Sequence, residues 1–308
     1  MHGLRRLSGG ASRETWSFDA TAGDTVHRLV LRRDPTGHGG HGQTSRSGEY
    51  ALLERAHAHG VLVPEVELLL TPDDGLGDGF VMRRIDGETI PRKILRDDEY
   101  ALARPLLAAQ CGEQAARIHA IAAGNLTELP LLGSREQIDQ HRATIDALGE
   151  PHPAFEIGLR WLAEHEPETG GAPPVLVHGD FRNGNLVVGP EGLRAVLDWE
   201  LAHRGDPAED LGWLCVKSWR FGAKQPVGGF GGYEDLLTAY ESHSGRTIDL
   251  PRLRYWEVFG TLKWGVICQL QASLHWSGTV RSVELAALGR RVAETEWDLL
   301  NTLEELNG

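Results

Sequence analysis

The pattern of apolar residues changes character at Asp86-Gly87, and that switch constrains the fold more than any other feature of the chain. Before it, Gly3–Leu7, Thr15–Ala20 and His27–Arg32 read as short strands, the last through the apolar run Leu29-Val30-Leu31. A helix is predicted from about Arg46 to Ala58, and two more strands, Val63–Leu70 and Gly79–Ile85, flank the turn-rich TPDDGLGDG. The stretch GHGGHGQTS at 37–45 has no periodicity and reads as a loop. After the switch, Leu102, Leu106, Leu107, Cys111, Ala115 and Ile118 recur at helical spacing and predict a helix over 97–122. Further helices are predicted over 134–147, 153–165, 208–219, 233–243, 252–274 and 281–303. One β-rich island interrupts them, at Pro174–Val177, Leu186–Val188 and Ala195–Leu197. Strands first and helices afterwards imply an α+β chain of two lobes: a small β-rich N-lobe over 1–86 and a larger helical C-lobe over 87–308.

Composition narrows the function classes. At 308 residues with 41% hydrophobic and 24% charged content, the chain can bury two cores. A formal charge of -13 argues against nucleic acid, whose phosphates call for an extended basic surface. No apolar run is long enough to cross a bilayer and MHGLRRLSGG lacks a signal peptide's apolar stretch, so a cytoplasmic protein without membrane contact is expected. Cys111, Cys215 and Cys268 are too far apart for a disulfide framework or a metal-ligand pattern and read as reduced core residues.

Chemistry concentrates in His178-Gly179-Asp180-Phe181-Arg182-Asn183-Gly184-Asn185, with Asp198 thirteen residues further on at the end of a strand. Phosphoryl transfer from a nucleotide asks for divalent metal held by oxygen ligands and a carboxylate facing the acceptor hydroxyl. Asp180, Asn185 and Asp198 can supply both from one cleft. The alternative is that Asp180 and Asn185 only shape a turn, as Asp, Asn and Gly often do; the apolar-apolar-Asp strand that follows argues against it. His178 reads as a packing and hydrogen-bonding residue rather than a proton carrier. In the first lobe, Ser8-Gly9-Gly10-Ala11-Ser12 joins two strands and offers small side chains and backbone N–H groups to a polyphosphate. Taken alone it would be a hairpin loop. Its position ahead of Arg32 on a strand and Glu49 on a helix gives it weight.

The segments LSGGASRETW (7–16), LVLRR (29–33), VLVPEV (61–66), FVMRRIDG (80–87), LVHGDFRNGNLVV (176–188) and VLDWELAHRGDPAEDLGW (196–213) together resemble the aminoglycoside phosphotransferase and choline kinase-like superfamily. Within it the chain looks most like bacterial phosphotransferases similar to the kinase-like domain of acyl-CoA dehydrogenase fusion proteins, an impression to which YWEVFGTLKW (255–264) and VGGFGGYEDLL (227–237) add. The resemblance implies a bilobal protein-kinase-like fold. It implies ATP, with GTP as an alternative donor, and Mg2+, with Asp180 as catalytic base and Asn185 and Asp198 on the metal. It also implies nucleotide contacts from Ser8, Gly9, Gly10, Ala11, Ser12 and Arg32, with Arg32 pairing to Glu49. Met82 would line the adenine pocket and the backbone of Arg83 and Ile85 would meet the base edge. Asp206 and Asp210 would anchor the catalytic loop. Arg32 stands where relatives usually have Lys, and a guanidinium is larger and fork-shaped. Relatives usually carry a longer leader before the phosphate loop, so either that leader is dispensable or this start is truncated.

The partner is expected to be a small-molecule hydroxyl acceptor, with the protein a monomer or homodimer. Trp213, Trp219, Trp256, Trp264 and Trp276 are aromatic candidates for the acceptor side, and Trp199 and Glu200 follow the metal Asp into the cleft. Trp256, Gly260 and Trp264 share a helical face that forms either an aromatic wall or buried core. Arg92, Lys93 and Arg96 could attract an anionic tail or simply open a solvated helix, and His38 and His41 are given no metal. A hydroxyacyl-type acceptor ranks above an aminoglycoside or amino-alcohol, and a nucleotide-binding pseudokinase is the rival reading, supported by Arg32.

Overall fold

The computed structural model of the chain describes residues 2–7, 14–34, 44–123, 126, 128–168 and 171–307. Ser8 to Ser12, His38 and His41 lie outside them.

The first part is one antiparallel sheet. Strands β1 (His2–Leu7), β2 (Glu14–Ala22), β3 (Thr25–Asp34), β4 (Val66–Leu69) and β5 (Asp78–Arg83) pair in the order β1-β2-β3-β5-β4. Helix α1 (Arg46–Ala58) starts at Ser45, whose side chain accepts from the Gly48 N–H, a normal way to satisfy an orphan donor at a helix start. It packs Leu52, Leu53 and Ala56 into a core with Val30, Phe80 and Met82. Pro64 has no N–H to give a ladder, and β4 accordingly begins two residues later, at Val66.

The second part is mostly helical. It holds α2 (Pro91–Arg96), α3 (Arg104–His119), α4 (Ser134–Leu148), α5 (Pro153–Glu164), the short strands β6 (Val175–Val177), β7 (Leu186–Gly189), β8 (Gly192–Val196) and β9 (His203–Gly205), and then α6 (Ala208–Cys215), α7 (Tyr233–Ser244), α8 (Leu250–Trp276), α9 (Val283–Gly289) and α10 (Arg291–Asn307). Three predicted helices differ. The one expected over 97–122 begins at Arg104, because Pro105 is tolerated only in a first turn, and a 3-10 turn, Asp98–Tyr100, precedes it. The one expected over 208–219 stops at Cys215, where Val216 turns extended. The one expected over 281–303 is two helices, meeting at Arg290.

The two parts are stitched near the chemistry. Val196 N–H donates to Leu62 O at 2.8 Å and Thr44 N–H donates to Glu200 O at 2.9 Å; within the second part, Glu88 and Val188 exchange backbone bonds. β6 pairs with β9 and β7 with β8, so the segments 178–185 and 197–202 face each other as loops at the ends of two small ribbons. No helix among the described residues is long and apolar enough to cross a membrane. The three cysteines are buried and free.

Candidate active site

The loop between β6 and β7 is held from below by α6. Asp210 accepts from the backbone N–H of His178 at 2.8 Å and of Gly179 at 3.0 Å, one on each carboxylate oxygen. His119 Nε2 lies 3.0 Å from the same group, and its Nδ1 lies 3.0 Å from Tyr240 Oη. Burial alone would raise the Asp210 carboxyl; the bond and charge of His119 and the loop N–H groups outweigh it and hold it below the ordinary range. Gly179 sits at φ +82°, and a Cβ there would lie 2.3 Å from Leu201 O, so only glycine fits this turn.

His178 is fully buried, and burial keeps its pKa below the usual value. Its Nδ1 accepts from Asp180 N–H at 3.2 Å and its Nε2 donates to Leu197 O at 3.1 Å, which fixes the neutral Nε2–H form. It braces the loop and holds no proton in play. Asp180 itself emerges with three donors on its carboxylate: Asn185 Nδ2 on Oδ2 at 2.6 Å, and Arg182 Nε at 2.9 Å and Trp213 Nε1 at 2.8 Å on Oδ1.

On the opposite side stands Arg32 of β3. Its Nη1 is 3.2 Å from Glu49 Oε1, and its Nη2 contacts both Asp198 Oδ1 and, at 3.0 Å, Glu200 Oε2. Burial works against the charge of Arg32, and the three carboxylates more than offset it, leaving its pKa raised. Asp198 is likewise held low: burial would raise it, Arg32 lowers it further. It lies two residues past β8 at φ 70°, an uncommon left-handed conformation for a residue with a side chain. Arg46, which sequence reading passed over, is buried and joins the same group through Glu49 and, at 3.1 Å, Asp34.

The oxygen chemistry suits a hard cation. Asn185 spends its side-chain amide N–H on Asp180, and its backbone oxygen accepts from Leu197 N–H at 2.8 Å, one residue before the Asp198 carboxylate. Among the described residues no group of three or more His, Cys, Asp or Glu could hold a metal by itself. Two oxygen-bearing side chains fit Mg2+, which keeps waters and takes nucleotide phosphates as further ligands.

Several expected positions move. Trp199 does not face the cleft: it is fully buried, 4.8 Å edge-on to the His178 ring, with its N–H given to Val196 O at 3.3 Å. The N–H of Arg83 is given to Glu65 O at 2.8 Å, so this amide is engaged within the sheet region rather than turned to a base edge; its side chain pairs with Glu65 and Glu67. Met82 is buried opposite Val30 and Val66, with the half-buried Ile85 beyond the strand end. Asp206 anchors helices rather than the loop, accepting from Ala208 N–H and from Arg252 Nη2, each at 2.8 Å. Trp256 is buried against Phe259 at 4.9 Å, so the aromatic-wall alternative gives way to core there. Trp276 is exposed. Arg92 is exposed, and Lys93 and Arg96 pair with Glu88 and Asp97 as in an ordinary solvated helix.

Trp213, Trp219 and Trp264 do gather beside Asp180, with ring centroids 5.2 Å and 4.8 Å apart in turn. Each already has a cation of this chain over it: Lys263 on Trp213 at 4.9 Å, Arg182 on Trp219 at 4.6 Å and Arg291 on Trp264 at 5.8 Å. Lys263, which the sequence reading passed over, is the one charged residue in the apolar stretch 258–274, a signal that could have found it. A cavity of about 920 Å³ among Trp161, Tyr233, Arg254 and Tyr255 includes none of the side chains around Asp180 or Arg32.

A model of the phosphotransferase enzyme family matches residues 3–254. The mouse acyl-CoA dehydrogenase family member 10 is 30% identical over 204 residues, 61% of this chain and 18% of that protein. The chicken acyl-CoA dehydrogenase family member 11 is 27% identical over 291 residues, 86% of this chain and 36% of that protein. The match to these curated relatives therefore spans well under half of their length. Among solved structures, a Ralstonia eutropha protein provisionally assigned as an aminoglycoside phosphotransferase superposes with a TM-score of 0.76 at 20% identity, covering 98% of this chain and 92% of that one. A spectinomycin phosphotransferase solved with ADP and spectinomycin gives 0.61 at 13% identity, covering 97% and 89%. These neighbours are protein-kinase-like, and this chain has the same arrangement of a small antiparallel sheet followed by a larger helical part.

Proposed function

Because this chain belongs to the phosphotransferase enzyme family, we propose that it moves the γ-phosphoryl group of ATP to a hydroxyl of a small cytoplasmic metabolite. Residues 1–86 carry the nucleotide and 87–308 carry the catalytic loop and acceptor. The observation that carries this reading is a chain of contacts through three separate segments: Asn185 bonds Asp180, the Asn185 backbone oxygen accepts from Leu197 N–H at 2.8 Å, and the next residue, Asp198, contacts Arg32. Asp180 receives or orients the acceptor proton. Arg32, steadied by Glu49, contacts the phosphates together with the backbone of Ser8 to Ser12. Asn185 and Asp198 would hold Mg2+, which when bound would supply positive charge beside the phosphates.

A hydroxyacyl-type acceptor is favoured over a polyamine antibiotic or an amino-alcohol. A quaternary or primary ammonium would seek an aromatic face, and the tryptophans beside Asp180 already carry Lys263, Arg182 and Arg291. The relatives named for acyl-CoA chemistry lean the same way. The contact of Arg32 with Asp198 favours one second reading, a nucleotide-binding pseudokinase, since a guanidinium there engages a metal carboxylate.

Magnesium-dependent ATP turnover against a panel of hydroxyacyl-CoA thioesters, free hydroxy acids, amino-alcohols and aminoglycosides separates the two. Transfer that Asp180→Asn abolishes supports the enzyme. Tight nucleotide binding with no transfer to any acceptor would favour the pseudokinase.

A further inference from the structure

Helix α6 grips the catalytic loop twice from one face. Asp210 holds the loop backbone at His178 and Gly179, and three residues later, on the same side of the helix, Trp213 donates its indole N–H to Asp180 Oδ1 at 2.8 Å. The ring is fixed in turn. Gly260 leaves it room, since a Cβ there would lie 2.9 Å from Trp213 Cε3. Lys263 lies over its face at 4.9 Å, while Nζ of that lysine bonds Gly179 O and Glu209 Oε1, each at 3.3 Å. Trp219 meets its edge at 5.2 Å.

Each carboxylate oxygen has two lone pairs to offer. Oδ1 of Asp180 has both engaged, by Trp213 and Arg182, whereas Oδ2 has one engaged, by Asn185. We propose that Trp213 is a positioning residue for transfer: by filling Oδ1 and fixing the rotation of the carboxylate, it makes Oδ2 the oxygen that faces the acceptor hydroxyl. Packing alone would need the indole ring and not its N–H. This inference rests on the reading of Asp180 given above.

A double-mutant cycle tests it. Hydrolysis of magnesium-ATP, with water standing in for the acceptor, is measured for wild type, Trp213→Phe, Asp180→Asn and the pair. Loss of a hydrogen bond to a charged acceptor is expected to lower kcat roughly tenfold, with KM for ATP within about twofold, and to cost nothing further once Asp180 is Asn. An equal loss in both backgrounds, no loss, or a loss confined to KM would overturn the proposal. If Trp213→Phe does not fold, β-(3-benzothienyl)alanine in place of Trp213 keeps the ring shape without the N–H, and the same outcomes decide. A wild-type rate for Asp180→Asn would instead sink the reading of Asp180.

Discussion

Arg32 and Glu200 meet at 3.0 Å across the join between the sheet and the helical part, Nη2 to Oε2, while the other arm of the same guanidinium lies 3.2 Å from Glu49. One side chain thus ties β3, α1 and the segment after β8. A lysine, with one compact ammonium, could not span these carboxylates at once. Arg32→Met is expected to lower stability by about 3 kcal/mol, as when one partner of a buried pair is removed. Arg32→Lys should lose less, about 1–2 kcal/mol, because it keeps a charge for Glu49. Urea unfolding compares them; equal losses would show that the fork geometry is irrelevant.

The tight turn at 178–185 was legible because its signal is local: Gly179 at a positive φ, Asp180, and Asn185 bonded back to Asp180 all lie within eight residues. The strands-then-helices order was legible for the same reason. Contacts distant in sequence were not. Nothing in β3 announces that Arg32 will touch Asp198, 166 residues away. Trp199 was misplaced because the left-handed Asp198 breaks the alternation of a strand, so the next ring turns inward against His178. Predicted helices 97–122 and 281–303 ran through breaks because apolar spacing continues across them, whereas Pro105 admits a helix only from its first turn.

Glu209 and His203 should set a pH optimum for stability. Burial would lower His203, but the Glu209 carboxylate 3.1 Å away raises it above the ordinary 6.5. Its contribution is therefore fully present below about pH 6.5 and lost as pH rises past its folded value. Burial would raise Glu209, yet His203, Lys263 and Gln137 hold it down to about 2. Its contribution is present above about pH 4.5 and lost as pH falls toward 2. Glu209→Gln is expected to drop the His203 titration below 6.5, since burial then acts without the opposing carboxylate. NMR titration of the ring protons, assigned with His203→Gln, checks this; an unchanged midpoint would refute it.

Removing the grip of α6 on the loop should be costly. In Asp210→Ala the buried N–H groups of His178 and Gly179 lose their acceptor, and His119 loses its partner. Each buried donor left unsatisfied costs about 1–3 kcal/mol, so a total near 3 kcal/mol or more is expected. Asp210→Asn keeps one acceptor oxygen and should fall between. Hydrogen exchange of the two amides localises the effect: both should lose protection in the Ala variant, and retention at wild-type rates would show that another group holds the loop.

The metal reading makes a prediction that does not depend on finding the acceptor. Asn185 and Asp198 are two oxygen donors for a cation that otherwise relies on water and phosphate, so either loss removes a large share of the protein ligation. Binding of Mn2+ in the presence of ADP, followed by electron paramagnetic resonance, is expected to weaken roughly tenfold or more in Asn185→Ala and in Asp198→Ala. Arg32 acts in the opposite sense. Its Nη2 contacts Asp198 Oδ1, so a cation bound through that oxygen would compete with the guanidinium. Without nucleotide, Arg32→Met should therefore bind Mn2+ more tightly than wild type, even though it is less stable. Weaker binding in that variant would mean that Arg32 holds Asp198 in place for the cation instead of competing with it.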